Sequence, residues 1–312
     1  MTVQFSNRPH FQKLVDLCAD LPPLRSAVIC PHETASLQGT LDARDAGLIE
    51  PVLVGEPDKI HVTAEAIGAD IAGLDIVEAS GDSLAAHRGV DLVASGEAGA
   101  LMKGHLHSDV YLEAVVRREN GLRGPSRSSH CFAMDIPGWH KLVIITDAAL
   151  NVAPNVEQLK SITQNAIDLA RALSISEPKV AMLSATEEAT DTIPSSQVAR
   201  AIVEAAKAGE ITGGLVDGPF ALDNAVNADA AKLKGISSPV AGDADVLVVP
   251  GIEAGNIFFK ALTFMAGAET AGLVVGTSAP VTLTSRADSA EARIVSSALA
   301  VLDHHYRSQQ TR

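Results

Sequence analysis

Four short segments bring together residue types that could do chemistry, each where an apolar run gives way to glycine and polar residues. The first reads Leu101-Met102-Lys103-Gly104-His105-Leu106-His107-Ser108-Asp109. A strand running into Lys-Gly, then into a helix capped by Ser108 or Asp109, offers an ammonium group, exposed backbone amides and a helix N-terminus, and together these bind an anion. His105 and His107 have the spacing of two metal ligands, but a third ligand is missing, so no metal is expected. Read without function, the segment is an ordinary βα turn. The second segment, Val216-Asp217-Gly218-Pro219-Phe220-Ala221-Leu222-Asp223-Asn224-Ala225, ends a strand in Asp, turns through Gly-Pro and presents Asp223 and Asn224 near a helix start. Either acid could equally be a helix cap.

The third segment runs from Val249 to Lys260 and contains Glu253-Ala254-Gly255-Asn256. A Gly-Asn turn opening a helix lets a ligand approach the backbone closely, and Asn256 and Lys260, four apart, share a face. The plainer reading is a capping asparagine and a solvent-facing lysine. The fourth is Leu283-Thr284-Ser285-Arg286-Ala287-Asp288-Ser289-Ala290-Glu291. Here a strand delivers Ser285 and Arg286 directly before a helix, and a guanidinium fork there matches a phosphate or carboxylate. Its alternative is a structural ion pair between Arg286 and Asp288 or Glu291.

Several chemistries are excluded by what the sequence lacks. No G-x-x-x-x-G-K-[ST], no G-x-G-x-x-G after a strand, no G-x-S-x-G and no H-E-x-x-H occurs. Lys and Arg number 24 against 38 Asp and Glu, a net charge of −14, with no basic run, so neither nucleic acid nor an anionic membrane is an expected partner. The 3 cysteines, Cys18, Cys30 and Cys131, are widely spaced and odd in number, which suits a reducing compartment and argues against a disulfide framework or a thiolate zinc site. Without an apolar leader or an eighteen-residue apolar run, the expected location is the cytoplasm.

The elements that must position these residues follow from periodicity. Short, β-branched, apolar runs occur at 26–30, 51–54, 75–77, 100–102, 142–146, 179–183, 213–216, 246–249, 272–275 and 281–284. They are apolar throughout rather than alternating, as in strands covered on both faces of a parallel sheet. Between them, Leu159, Ile162, Ala166, Leu169, Ala170 and Leu173 form one helical stripe, Val198, Ile202 and Ala205 another, and Ile294, Ala298 and Leu302 a third behind an Asp288-x-x-Glu291 capping spacing. This alternation predicts an α/β fold with mainly parallel sheets. With 46% hydrophobic residues over 312, two domains are expected, dividing in the polar stretch 120–130.

Taken together, the words ALMKGHLHSD, VIITDAALNVAP, ITGGLVDGPFALDNAV, ADVLVVPGIEAGNIFFK and TAGLVVGTSAPVTLTSRADSAE resemble the phosphate acetyl/butyryltransferase family over nearly the whole chain. The resemblance implies two doubly wound α/β domains of the isocitrate/isopropylmalate-dehydrogenase type with a cleft between them. Residues 1–136 plus 283–312 would form the first domain and 137–282 the second, in a homodimer. It implies reversible transfer of an acyl group between CoA and inorganic phosphate, acetyl favoured, with no metal and no cofactor beyond CoA as substrate. The partners are then acyl-CoA, phosphate and acyl phosphate. By the same resemblance Ser285 positions the CoA thiol, and Arg286 holds phosphate and polarises the acyl carbonyl. Lys103, Gly104, His105, His107 and Ser108 line the site, with Asp223, Asn224, Asn256 and Lys260 opposite. Acetyl-specific members usually carry an aspartate seven residues after the serine; here that register holds Ala292, beside Glu291. Glu291 is therefore either the base or the third residue of the capping box. Two alternatives stand beside the acetyl reading: a phosphate butyryltransferase with a larger acyl pocket, and a catalytically silent acyl-CoA or acyl-phosphate binding module.

Overall fold

A computed structural model describes residues 5, 7–119, 121–284 and 289–310. The chain forms two compact units, Met1–Ser126 with Ala271–Arg312, and Arg127–Thr270. The first division falls inside the polar stretch 120–130, ahead of the 136/137 boundary, and the second falls ahead of 282/283; strand pairing explains each. Ser129–Asp135 is a strand that pairs with the next strand of the second unit, while the strand at 269–275 pairs antiparallel with Val281–Thr282 of the first.

The first unit opens with α1 (Pro9–Asp16), then alternates β1 (Leu24–Ile29), α2 (Thr34–Asp45), β2 (Ile49–Gly55), α3 (Pro57–Ile67), β3 (Asp75–Glu78), α4 (Asp82–Ala94), β4 (Ala100–Lys103) and α5 (Ser108–Val116). The second unit holds β5 (Ser129–Asp135), β6 (Val143–Thr146), α6 (Val156–Ala172), β7 (Lys179–Leu183), α7 (Pro194–Lys207), β8 (Leu215–Phe220), α8 (Leu222–Val226), α9 (Ala228–Leu233), β9 (Val246–Val248) and α10 (Ile252–Ala266). The chain returns through β10 (Glu269–Val275) to β11 (Val281–Thr282) and the long α11 (Ala290–Gln310).

In the first unit the strand order is β3-β2-β1-β4-β11-β10, parallel except for the β10–β11 pair. The chain builds outward from β1 to β2 and β3, then returns to place β4 on the other side of β1. The crevice beyond the carboxyl ends of β1 and β4 is thus a topological switch point, where open α/β sheets bind their ligands. In the second unit the order is β5-β6-β9-β7-β8, with only β5 antiparallel.

The central apolar runs become strands covered on both faces, whereas β3 at the sheet edge stays partly exposed. Val28, Ile29, Leu53 and Leu101 are at most 1% exposed, and burying each such side chain contributes about 1.5–3 kcal/mol. α4 lies so close over β1 and β4 that a Cβ on Gly89 would stand 1.9 Å from Ile29 Cδ1 and 3.1 Å from Leu101 Cδ1. Helix starts are capped locally. Glu33 accepts from the amides of Ala35 and Ser36, both at 3.1 Å, and Asn155 with Gln158 forms a capping box. Among the described residues no helix is long and apolar enough to cross a membrane.

Candidate functional site

The carboxyl ends of β4 and β11 bring the first and fourth segments together. The two strands pair in parallel, Leu101 with Val281 and Met102 with Thr282, so the residues that follow them emerge side by side. Lys103 is 4% exposed, and its Nζ donates to the Thr284 carbonyl at 3.4 Å. The Thr284 hydroxyl donates to the Lys103 carbonyl at 3.4 Å. It also accepts from Nη1 of Arg293 at 3.2 Å, a residue only 6% exposed. From α5, the Tyr111 hydroxyl donates to the Thr282 carbonyl at 3.0 Å. Two buried cations therefore converge on Thr284, the residue immediately before Ser285. A cavity of about 10 Å³ lies among Ser36, Gly39, Thr40, Lys103, Thr284 and Arg293, roughly the room of one water molecule.

Ser285 and Arg286 lie outside the described residues. Glu291 is described, and it is half-buried in the first turn of α11. It is not the third residue of a capping box. The Ser289 hydroxyl accepts the Ala292 amide at 3.0 Å, so the helix is capped one residue later than the Asp288 spacing suggested and Glu291 is its second residue.

The Lys-Gly turn differs from its expectation in one respect. The amides of Gly104 and His105 are not exposed to a ligand: they donate to the carbonyls of Ile29 and Cys30, each at 2.8 Å. This stitches the end of β4 to the end of β1 and explains the glycine, since a Cβ at position 104 would stand 2.2 Å from Ile29 O and 2.7 Å from Cys30 O. What the turn can offer an anion is therefore the Lys103 ammonium and the first amides of α5, not its own backbone. Neither Ser108 nor Asp109 caps α5. His107 is the N-cap residue, without a side-chain bond, and both His107 and Ser108 are exposed. His105 is half-buried, its ring 5.9 Å from that of His32 in an edge-on arrangement. Burial lowers the His32 imidazole below its ordinary value, and Lys59 adds to this. Burial also pushes the neighbouring Cys30 thiol up to about 12, with Asp82 contributing.

In the second unit, the two predicted pairs sit at different strand ends. Asn224 on α8 is fully buried and its Nδ2 donates to Glu187, which also takes the Lys234 ammonium at 2.6 Å. Asp223 beside it is exposed, and Ala221 rather than either acid is the N-cap residue of α8. Asp217 lies inside β8, not at its end, and accepts the Gly218 amide at 2.8 Å. Asn256 and Lys260 lie within α10, which starts at Ile252 with Gly251 as its N-cap residue, so Gly255-Asn256 does not open that helix. Gly255 is there for packing: a Cβ would fall 2.8 Å from that of Ala148. Asn256 Nδ2 donates to the Ala148 carbonyl at 3.5 Å, and Lys260, one turn on, is exposed.

Two groups were not singled out from the sequence. One is Arg293, whose stem lies over Gly39 of α2 at a distance where a Cβ would be 2.6 Å from Arg293 Cδ. A glycine inside a helical pattern was its only signal. The other is a buried chain at the end of β6. Asp147 accepts the amides of Ala149 and Leu150 at 2.9 and 3.0 Å and the side-chain amide of Asn151, whose Oδ1 accepts from Arg127. An aspartate ending an apolar strand, with asparagine four residues on, was the available sign.

Comparison with known proteins gives this geometry its context. A family model described as phosphate acetyl/butaryl transferase matches residues 83–301. A Rhizobium meliloti protein named phosphate acetyltransferase is 44% identical over 292 residues, 94% of this chain and 92% of its own. A Clostridium beijerinckii protein named phosphate butyryltransferase is 37% identical over 293 residues, covering 94% and 97% of the two chains. Among solved structures, a branched-chain phosphotransacylase from Enterococcus faecalis V583 superposes with a TM-score of 0.77 at 30% identity, covering 90% of this chain and 99% of that one.

Proposed function

The chain belongs to the phosphate acetyl/butaryl transferase family and is a phosphate acyltransferase, and from that premise we propose that it moves an acetyl group reversibly between CoA and inorganic phosphate. Acyl-CoA and phosphate give acyl phosphate and CoA: a phosphate oxygen attacks the thioester carbonyl, and the thiolate leaves and takes a proton. Charge develops on the carbonyl oxygen and on sulfur. Arg286 stabilises the first and holds the phosphate, and Ser285 positions the second. Lys103 and Arg293 supply fixed positive charge next to the Thr284 backbone, so an anionic substrate there meets cations that are already desolvated and oriented.

The observation that supports this most directly is the parallel pairing of β4 with β11, which sets Lys103 against the residue before Ser285. His105, His107 and Ser108 extend the same edge, and Asp223, Asn224, Asn256 and Lys260 are taken as substrate-binding on the family resemblance alone. Glu291 is the carboxylate in the register nearest the family's base. The reaction does not depend on a strong base. A thiol with a pKa of about 8.5 is roughly 1.5 units from neutral pH, about 2 kcal/mol, while one oxyanion donor contributes about 2.7–4 kcal/mol. The enzyme works without metal, as a cytoplasmic homodimer.

The butyryl reading has one observation in its favour: Ala292, in the register of the acetyl branch's aspartate, is 1% exposed and apolar. A kinetic panel of acetyl-, propionyl-, butyryl- and isobutyryl-CoA separates the two. Arg286→Ala tests the shared chemistry. Turnover should fall about 10²–10³-fold with little change in melting temperature, and Arg286→Lys should recover little, because a point charge cannot reproduce the fork. Near-normal kcat with a lowered melting point would remove Arg286 from the mechanism.

A further inference from the structure

Cys30, His32 and Asp82 form a cluster that the transfer reaction does not use. Each presents a ligand atom, and these atoms all lie within 4.8 Å of one another, the only such group among the described residues. Cys30 follows β1, His32 is two residues on, and Asp82 is the first residue of α4, so three separate positions converge at the carboxyl end of the sheet. Cys30 Sγ is 3.8 Å from Asp82 Oδ1. His32 Nδ1 is buried and has no hydrogen-bond partner. A buried ring nitrogen without a partner is a deficit in a folded protein, and a ligand is one way of meeting it.

We propose that Cys30, His32 and Asp82 form a binding site for a zinc-class divalent cation. The donor set decides the class. One sulfur, one imidazole and one carboxylate match zinc, whereas magnesium and calcium take oxygen donors. Tetrahedral zinc holds its ligand atoms about 3.3–3.6 Å apart, so the three need to close by roughly 1.5 Å at most, within the reach of side-chain rotation. Three protein ligands leave one position for water, with the His105 ring close by. Lys59, close enough to affect His32, is held by Glu56 at 2.8 Å. The turn that carries Cys30 also accepts the amide of His105 at 2.8 Å, so an ion here would brace the junction of β1 and β4.

The test uses the full chain, freed of metal with a chelator, and reads binding rather than activity, so it stands or falls separately from the transferase reading. Zinc is titrated against a chromophoric chelator, and cobalt is added to watch for the thiolate-to-cobalt charge-transfer band in the near ultraviolet. We expect one equivalent of zinc bound and a band on cobalt addition. Since changes to groups that merely orient metal ligands cost about 10–100-fold in affinity, losing a ligand should cost about 100-fold or more. Cys30→Ser should therefore weaken zinc binding to that extent and abolish the band. His32→Asn should weaken zinc to the same degree but keep a cobalt–sulfur band at high cobalt, and Cys18→Ser, at the α1–α11 contact, should change neither. Circular dichroism without metal establishes that each variant is folded, and His32→Asn serves if Cys30→Ser is not. Failure of the wild-type chain to bind zinc stoichiometrically, or equal affinity in wild type and either ligand variant, would overturn the site.

Discussion

Replacing Gly104 by alanine isolates the contact that holds Lys103 in place. The new Cβ would stand 2.2 Å from Ile29 O, 2.7 Å from Cys30 O and 2.9 Å from the Cys30 carbonyl carbon. All three are backbone atoms, so no flexible side chain can swing aside. Reaching an ordinary carbon–oxygen contact of about 3.3 Å requires a shift of about 1 Å between the ends of β4 and β1. That shift opens the two amide bonds from Gly104 and His105, about 1 kcal/mol each, and adds an overpacking cost of about 1–3 kcal/mol. The expected destabilisation is about 3–5 kcal/mol, a large share of the total for a typical domain. Lys103, the residue before, moves with the turn, and a displacement of about 1 Å in a positioned group costs about 10²-fold in rate. Gly89→Ala is the matched control. The three atoms nearest its Cβ are side-chain carbons of Ile29 and Leu101 rather than backbone, so it should cost about 1–3 kcal/mol and leave turnover close to wild type. Denaturant unfolding and a thiol-release assay with acetyl-CoA and phosphate measure both quantities. If Gly104→Ala melts like wild type, or if it loses no more activity than Gly89→Ala, the turn does not position the lysine.

Three further outcomes are expected. Asp243 is pushed up by partial burial, but hydrogen bonds from Lys141, Lys179 and His140 outweigh this and hold its carboxyl well below the ordinary 3.8. With the folded value lowered, the stability it contributes is full above that ordinary value and is lost as pH falls below it. Melting temperatures of wild type and Asp243→Asn should therefore differ near pH 6, with the gap starting to close below about pH 4 and closing fully only as pH nears the lowered folded value; a gap that widens in acid would reverse the sign. Exhaustive chelation should leave kcat unchanged, and activity that needs a specific divalent ion to return would refute metal-independent transfer. Sedimentation at micromolar concentration should report a homodimer, and a monomer at that concentration would contradict it.

How much of this was legible in the sequence depends on how far apart the interacting residues lie. Ten runs became strands because a short stretch of β-branched, apolar residues announces a strand from its own residues alone, whether covered on both faces or, like β3, only in part. β5 was missed because Ser129 and His130 open it with polar residues, and only burial against the rest of its unit accounts for them. Helix starts were legible to within a few residues, yet their caps were not: Asp288 and Ser289 are both good cap residues by type, and it is Ser289 whose hydroxyl accepts the Ala292 amide. Glycine misled in an instructive way. Gly104 and Gly255 both read as openings for a ligand, and both turned out to permit close packing, one against backbone and one against Ala148. Arg293 was invisible because a buried arginine in an apolar helical stripe looks like an error of phase. It becomes intelligible only when Gly39, on a helix far earlier in the chain, leaves room for its stem. Lys103 makes the same point from the functional side. Its neighbours in sequence suggest an anion site built from exposed amides, and those amides are already used. What sets the lysine against Thr284, 181 residues later, is the pairing of β4 with β11. The chemistry of the segment was in its residue types, but the identity of its partner was in the topology, and a topology is written across the whole chain rather than in any one motif.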